Sequence, residues 1–384
     1  MISNPNDESR PEWEAPAFRF PPVDRFEEWL HAPAPLESSD QRFDVRRATP
    51  AEFDAIYDLV DRTFGLKRSG AHNDWLYRRN PFGIARCWVV FDRESGRMIS
   101  SGASWPWPIA RGAKTLDGTQ EGDTVVVLGW QRQGVDRLRN TTWRSHAWFG
   151  KTITMGWPNE KTRGSGAKRG NGPEIVGPIP KTVLILKSKP YLAEHHWATL
   201  ASAVGGLMMD AALSVWRKLL FRHQPGLEFE AIRRFDSSAD EMTERCMQWP
   251  GLWTTHTAAF LNWRYLSHPT QHYRAFALVE GGKLAGYYVL KLDGHASWLM
   301  EFVAPVTPGR VAPALLLHAV ETALAAECTH VNFSAPPKWR HWKLFHTIGF
   351  LPVPSHIYFW TIGNDPELTN LDRWQWVPGD MDWV

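Results

Sequence analysis

Hydrophobic positions along the chain alternate with period two in some stretches and recur at spacings of three and four in others, and the changes of period mark the elements. From Phe43 the run Phe-Asp-Val-Arg-Arg alternates as a half-buried strand and leads into Ala-Thr-Pro-Ala-Glu. Thr49 at the N-cap, Pro50 at the first helical position and Glu52 at the capping-box position predict a helix start there. Phe53, Ile56, Tyr57, Val60 and Phe64 then share one helical face, which stops at Gly65. Before Phe43, seven prolines from Pro5 to Pro35 stand among polar and acidic residues. Such a stretch cannot build a core, so residues 1–42 read as a tail.

The pattern repeats. Asp74-Trp-Leu-Tyr-Arg-Arg-Asn-Pro81, a strand from Ala85, a turn at Gly96-Arg97 and a strand with Gly102 form a first series. Asn262-Trp-Arg-Tyr-Leu-Ser-His-Pro269, a strand from Tyr273, a turn at Gly281-Gly-Lys283 and a strand with Gly286 form a second, about 186 to 188 residues further on. Trp75 matches Trp263, Tyr77 matches Tyr265 and Pro81 matches Pro269. Met155-Gly-Trp-Pro158 with Pro180-Lys-Thr-Val-Leu-Ile-Leu likewise parallels Phe333-Ser-Ala-Pro336 with Pro354-Ser-His-Ile-Tyr-Phe-Trp. An ordered series of this kind is a duplication. Each unit reads β, α, α, a hairpin of long strands, then strand, helix, strand, helix, strand. The fold class is α/β (α+β), with units at residues 43–190 and 226–363, a helical connector at 191–225 and a C-terminal tail at 364–384.

Composition narrows the function. The charges nearly cancel, 43 Lys and Arg against 41 Asp and Glu, so no nucleic-acid partner is indicated and a small-molecule substrate fits better. Cys87, Cys246 and Cys328 are too scattered for a disulfide framework or a zinc site, and no metal is expected. The first residues lack a basic, then apolar, leader, and the apolar run from Trp197 to Met209 is too short for stable membrane insertion. A cytoplasmic protein is expected. The 22 Trp read as core and interface filling more readily than as sugar-stacking platforms.

Candidate chemistry lies in the first unit. Glu121-Gly-Asp-Thr-Val-Val-Val-Leu-Gly-Trp130 is a β-branched strand, followed by Gln131-Arg-Gln-Gly-Val-Asp136 and a helix through Leu138 and Trp143. A strand entering a glycine turn at a helix N-terminus gathers free N–H groups and the positive end of the helix dipole, a seat for phosphate. With Ile153-Thr-Met-Gly-Trp-Pro-Asn159 after it, this order resembles the GCN5-related N-acetyltransferase (GNAT) superfamily, here in a tandem two-domain form. The resemblance implies two acyl-CoA N-acyltransferase-like domains, each a mixed, mostly antiparallel sheet flanked by helices. It further implies acyl transfer from acetyl-CoA or another acyl-CoA to a small amine, with pantetheine laid along Val125, Val126 and Val127. The phosphates would sit at Gln131, Arg132, Gln133, Gly134 and Val135, with Asn159 touching CoA. A strand N–H would hold the oxyanion, and Glu121 or Asp123 would serve as base. Period two puts those two carboxylates on one face. Asp136 stands where the family has a small residue, and a carboxylate there repels phosphate unless it points away. The second unit has Ala304-Pro-Val-Thr-Pro-Gly-Arg310 at this place, without the Gln or Arg, and is not expected to bind CoA.

Residues outside these motifs are expected to be structural. His268 and His272 read as a solvated turn. The basic loop Lys161–Gly170 reads as solvated, with the CoA 3′-phosphate as an alternative. The tail Trp374-Gln-Trp-Val-Pro-Gly-Asp380 resembles tails of tandem acetyltransferase-like proteins of surface-polysaccharide pathways, and is expected to dock on the surface, with folding back over a cleft to supply a base or bind hydroxyls as the alternative. The function expected is an acyl-CoA dependent N-acyltransferase acting on a small amine such as an amino sugar. A Fem-type transferase using aminoacyl-tRNA, or a non-catalytic binding protein on the same scaffold, is the alternative.

Overall fold

The computed structural model describes residues 40–112, 114–145, 152–158, 174–194, 227–247, 251–306, 309–362 and 366–381, together with Ala211 and Val215. Nearly all of the N-terminal tail, most of the connector, the basic loop at 161–170 and Asn159 lie outside the described residues.

In chain order the first half gives β1 (Phe43–Arg47), α1 (Phe53–Phe64), α2 (Gly70–Tyr77), β2 (Arg86–Asp92), β3 (Met98–Pro106), β4 (Ile109–Arg111), β5 (Lys114–Leu116) and β6 (Gly118–Val126). Next come α3 (Val135–Ser145), β7 (Ile153–Gly156), β8 (Glu174–Pro178), β9 (Lys181–Ile185) and α4 (Ser188–Glu194). The second half gives β10 (Leu227–Ala231), α5 (Ser237–Met247), β11 (Leu252–Thr254), α6 (Ala258–Leu261), β12 (Tyr273–Glu280), β13 (Lys283–Asp293) and β14 (Ala296–Val303). It closes with α7 (Val311–Ala325), β15 (His330–Ser334), α8 (Trp342–Ile348), β16 (Leu351–Val353) and β17 (Tyr358–Ile362).

Local chemistry sets the junction into α1. The Glu52 carboxylate accepts from the Thr49 N–H at 2.8 Å and pairs with Arg46 at 2.6 Å, while the helix ends at Gly65 with φ 69°. Phe53, Ile56, Tyr57 and Val60 are buried, but Phe64 at the last turn is 49% exposed.

Two seven-stranded sheets result, ordered β1-β2-β3-β6-β7-β17-β8 and β10-β12-β13-β14-β15-β9-β16. Corresponding strands stand in corresponding places, with one exchange. β9, from the first half, pairs antiparallel with β15, and β17, from the second half, pairs antiparallel with β7. Each sheet therefore borrows its sixth strand from the other half. The chains cross where the Ile179 N–H donates to the Ile357 carbonyl at 2.8 Å.

The repeat also meets itself at the middle of the molecule. Trp75 and Trp263 stack with centroids 4.7 Å apart and planes at 15°. Each indole N–H donates to the other residue's carbonyl, at 2.8 and 3.0 Å. That reciprocity is what an internal two-fold relation requires. One hydrophobic core runs through this contact and joins both halves, from Ile56 and Tyr77 to Phe260 and Trp374. Among the described residues no helix is long and apolar enough to cross a membrane.

Candidate functional site

In the first sheet β6 and β7 run parallel but pair at only three positions, Gly118 with Ile153, Thr119 with Thr154 and Gln120 with Met155. Beyond Gln120 they part. On its other side β6 stays paired with β3, and the Val127 N–H donates to the Ile99 carbonyl at 2.9 Å. An antiparallel ladder turns alternate residues to opposite edges, so the Val126 N–H and carbonyl face the open side. Val125, by contrast, is 3% exposed and packs into the core.

The parting coincides with a bulge. Asp123 has φ 46°, and the register between β3 and β6 shifts around it. Asp tolerates this left-handed region better than most residues. Its carboxylate is tied down: Oδ1 accepts from Arg68 Nη1 at 3.1 Å, and Oδ2 accepts from the same nitrogen at 3.2 Å and from the Tyr77 hydroxyl at 2.8 Å. Arg68 is shared with Asp61 at 2.6 Å. Burial pushes the Asp123 carboxyl up, against the opposing pull of Arg68 and Tyr77. The bulge also corrects the expectation that Glu121 and Asp123 share a face. Glu121 is registered against Ser104, on the face opposite Ala103 and Val125, whereas Asp123 turns to the α1 and α2 side. Period two fails because one extra residue sits in the strand. Glu121 is half-buried and is the first residue past the last β6–β7 pair.

After β6 the chain makes an exposed turn. Leu128 is 83% exposed, Gln131 through Gly134 are exposed, and Val135 is buried as the first residue of α3. The turn is held by its own side chains, since Gln131 Nε2 donates to the Val126 carbonyl at 3.2 Å and Gln133 Nε2 to the Gly129 carbonyl at 2.7 Å. Gly134 has φ 83°, with no atom near the place a Cβ would occupy, and Arg132 also adopts a positive φ of 63°. A glycine here supplies the conformation at no steric cost. Asp136 does not confront this turn unaccompanied. It pairs at 2.9 Å with Arg139, which is 2% exposed and also donates to the Ser100 hydroxyl at 3.2 Å and to the Ser101 carbonyl. Arg139 lies against Gly102, where a Cβ would meet its Cζ at 3.2 Å. Neither Arg139 nor Arg68 was singled out from the sequence, because their partners lie on other elements.

The second unit shows the same parting, with β14 and β15 paired only from Ala296 with His330 to Trp298 with Asn332. It also repeats the lock in altered form. The Tyr265 hydroxyl donates to Glu301 Oε1 at 2.6 Å, as Tyr77 does to Asp123, and His256 takes the place of Arg68, at the spacing that separates Trp75 from Trp263. His256 Nδ1 is 3.2 Å from Glu301 Oε2, and its Nε2 is 2.7 Å from Asp380 Oδ1. Burial opposes charge on His256, but Glu301 and Asp380 outweigh it and raise its pKa well above the ordinary value.

Asp380 comes from the tail, which is not docked on the surface as expected. Asp380, Trp374 and Trp376 are completely buried, and the Arg264 guanidinium clasps the carbonyls of Gly379 and Met381 at 2.9 and 2.6 Å. Gly379 passes so close that a Cβ would meet the Tyr265 hydroxyl at 1.8 Å. His268 is not solvated either: it is 8% exposed, packs on Trp75 with centroids 4.3 Å apart, and burial lowers its pKa to about 2.

Two sheets, each with a central parallel pair that opens after three residues, define the class. The chain has the fold shared by GCN5-related N-acetyltransferases and N-myristoyltransferases, with two such units in tandem. Among solved structures it is similar to a GCN5-related N-acetyltransferase from Kribbella flavida, with 14% identity, TM-score 0.55, and coverage of 83% of this chain and 71% of that one. A conserved protein of unknown function from Enterococcus faecalis V583, described as a probable N-acyltransferase, gives 10% identity and TM-score 0.59, over 83% and 72%. N-myristoyltransferase from Saccharomyces cerevisiae with bound myristoyl-CoA gives 10% identity and TM-score 0.50, over 88% and 89%. Comparison with protein-family models and with curated proteins gives no match.

Proposed function

We propose that this protein is an acyl-CoA dependent N-acyltransferase whose chemistry lies in the first unit, with a small amine such as an amino sugar as acceptor. One observation carries the reading. β6 leaves β7 at Glu121 and turns the Val126 N–H to the open edge, directly before an exposed glycine turn at the N-terminus of an eleven-residue helix. Pantetheine would extend the sheet along Val125 to Val127, and the phosphates would take the N–H groups of Gln131 to Val135. The Val126 N–H would then stabilise the oxyanion as the amine attacks the thioester carbon and the CoA thiolate leaves. Glu121 is the base in this scheme, removing the proton of the acceptor ammonium. Asp123 holds the bulge and keeps its lone pairs on Arg68 and Tyr77. The Asp136–Arg139 pair supports the seat, because the carboxylate that would repel phosphate is neutralised within its own helix.

Because one neighbour holds myristoyl-CoA, the test uses acyl-CoA from acetyl to myristoyl with a panel of amines, reading the free CoA thiol. Thiol release that depends on the amine, and falls at least about 100-fold in Glu121→Gln, is expected from the magnitude of general-base catalysis. No amine-dependent release from the folded protein with any acyl length would overturn the proposal.

A further inference from the structure

The cleft of the first sheet has a closed end whose walls differ from those at the matching place in the second sheet. Thr119 and Thr154 form the middle one of the three β6–β7 pairs, and their buried hydroxyls, 3.2 Å apart, are hydrogen-bonded on one face. Period two puts Glu121 and Gly156 on that same face, just past the last pair. Gly156 has no side chain to fill its place. Trp360, in register with it on β17, lays its indole there instead: a Cβ on Gly156 would meet Cε2 and Cζ2 at 2.9 Å and Nε1 at 3.0 Å. The closed end thus has a hydroxyl floor, the Glu121 carboxylate on one side and the edge of the Trp360 indole on the other. In the second sheet the residues just past the last β14–β15 pair are Leu299 and Phe333, both fully buried in its apolar core, and Phe333 is in register with the small Thr182 of β9. The first sheet replaces those two large apolar side chains with a carboxylate and a glycine, and takes the bulk from β17. A packed core gains nothing from a carboxylate at this place, since burying a charge is costly.

We propose that Trp360 is a specificity-determining residue of the first unit, its indole limiting the bulk that the acceptor carries beside the attacking nitrogen. Glu121 takes the ammonium proton in the proposed reaction, which brings the acceptor nitrogen within about 3 Å of its carboxylate. β6 and β7 are one strand spacing apart at the last pair, about 4.8 Å, so a group held by Glu121 also meets the indole that covers Gly156. Trp360 has this role only if the acyl-CoA reading of the first unit holds, and the test keeps the two apart.

The experiment measures kcat/KM of the full chain, as thiol release from acyl-CoA, for methylamine, isopropylamine and tert-butylamine, which differ only in the bulk on the carbon next to nitrogen. Trp360→Leu is expected to raise the ratio of tert-butylamine to methylamine at least about tenfold over the parent, the low end of what one methylene of pocket space decides. Trp360→Phe, which keeps an aromatic ring in β17 and decides the matter if the leucine variant fails to fold by circular dichroism, should raise it in the same direction. Gly156→Ala adds a methyl group where the indole lies and should lower the ratio. Acyl-CoA affinity by calorimetry and the preference among acyl lengths should stay as in the parent. An unchanged amine ratio in the folded Trp360 variants, a rise in Gly156→Ala, or a shift in acyl-length preference in place of amine preference overturns this role for Trp360 and leaves the acyl-CoA reading standing. No amine-dependent thiol release by the parent overturns both.

Discussion

Replacing Arg139 by Met probes how the first unit tolerates an acidic residue at its proposed phosphate seat. Arg139 is buried and holds Asp136 at 2.9 Å. Without the guanidinium, a half-buried carboxylate remains within one helical turn of Gly134. Two unit charges about 8 Å apart at an effective dielectric near 40 repel by about 1 kcal/mol, and a pyrophosphate carries roughly two such charges. Affinity for CoA should therefore fall by about 1 to 2 kcal/mol, or roughly 5- to 30-fold. The same change strips a donor from the Ser100 hydroxyl and the Ser101 carbonyl, so stability should drop by about 1 to 3 kcal/mol.

Titration calorimetry below the lowered melting temperature separates the two effects. Asp136→Asn placed in the Arg139→Met background should restore the affinity but not the stability, and the loss should shrink in about 1 M salt, where the Debye length is near 3 Å. If folded Arg139→Met binds CoA as the parent does, or Asp136→Asn restores nothing, the electrostatic account of the seat is wrong.

Further outcomes follow from packing and titration. Trp75→Ala and Trp263→Ala should each cost about 3 to 5 kcal/mol in urea unfolding, and the double variant less than the sum, because both remove one stacked pair. Gly379→Ala drives a methyl group into the Tyr265 hydroxyl and Glu301, so the C-terminal segment should become sensitive to protease while CoA binding in the first unit is unchanged. Burial lowers the pKa of His72 to about 4 and of His268 to about 2, with nearby Arg68 and Arg264 adding to the effect. Below about pH 6.5 the unfolded chain takes up protons that the native imidazoles refuse, so stability should fall with pH. The loss runs to about pH 4 for His72 and continues toward about pH 2 for His268. Its limit is about 1.4 kcal/mol per pH unit for each histidine. His268→Gln should flatten the dependence seen in urea midpoints between about pH 7 and about pH 5.

The duplication was legible because Trp75 and Trp263 recur within matching local strings, and the helix from Phe53 was legible because its cap, period and glycine stop agree. The strand exchange was not. Lys181–Ile185 and Tyr358–Ile362 each read as strands, but a strand's own pattern fixes which face is buried and not which of two similar sheets it joins. The Asp123 bulge escaped period-two reasoning for a related reason, since one positive φ at a residue that tolerates it shifts every later side chain. A trace of the lock was present, because Arg68 and His256 stand at the same spacing as the paired tryptophans. Asp380 and Glu301 left no such trace: Asp380 and His256 are 124 residues apart and meet only through the tail.

The central claim is that one acyl-CoA binds per chain, at the first unit's glycine turn. Calorimetric titration of the full chain with acyl-CoA measures it directly. The expected result is a stoichiometry of about one, lost in Gly134→Glu, which puts a strained acidic side chain at φ 83°, and retained in Gly379→Ala. No binding by the folded protein, two equivalents per chain, or undiminished binding by Gly134→Glu would contradict it.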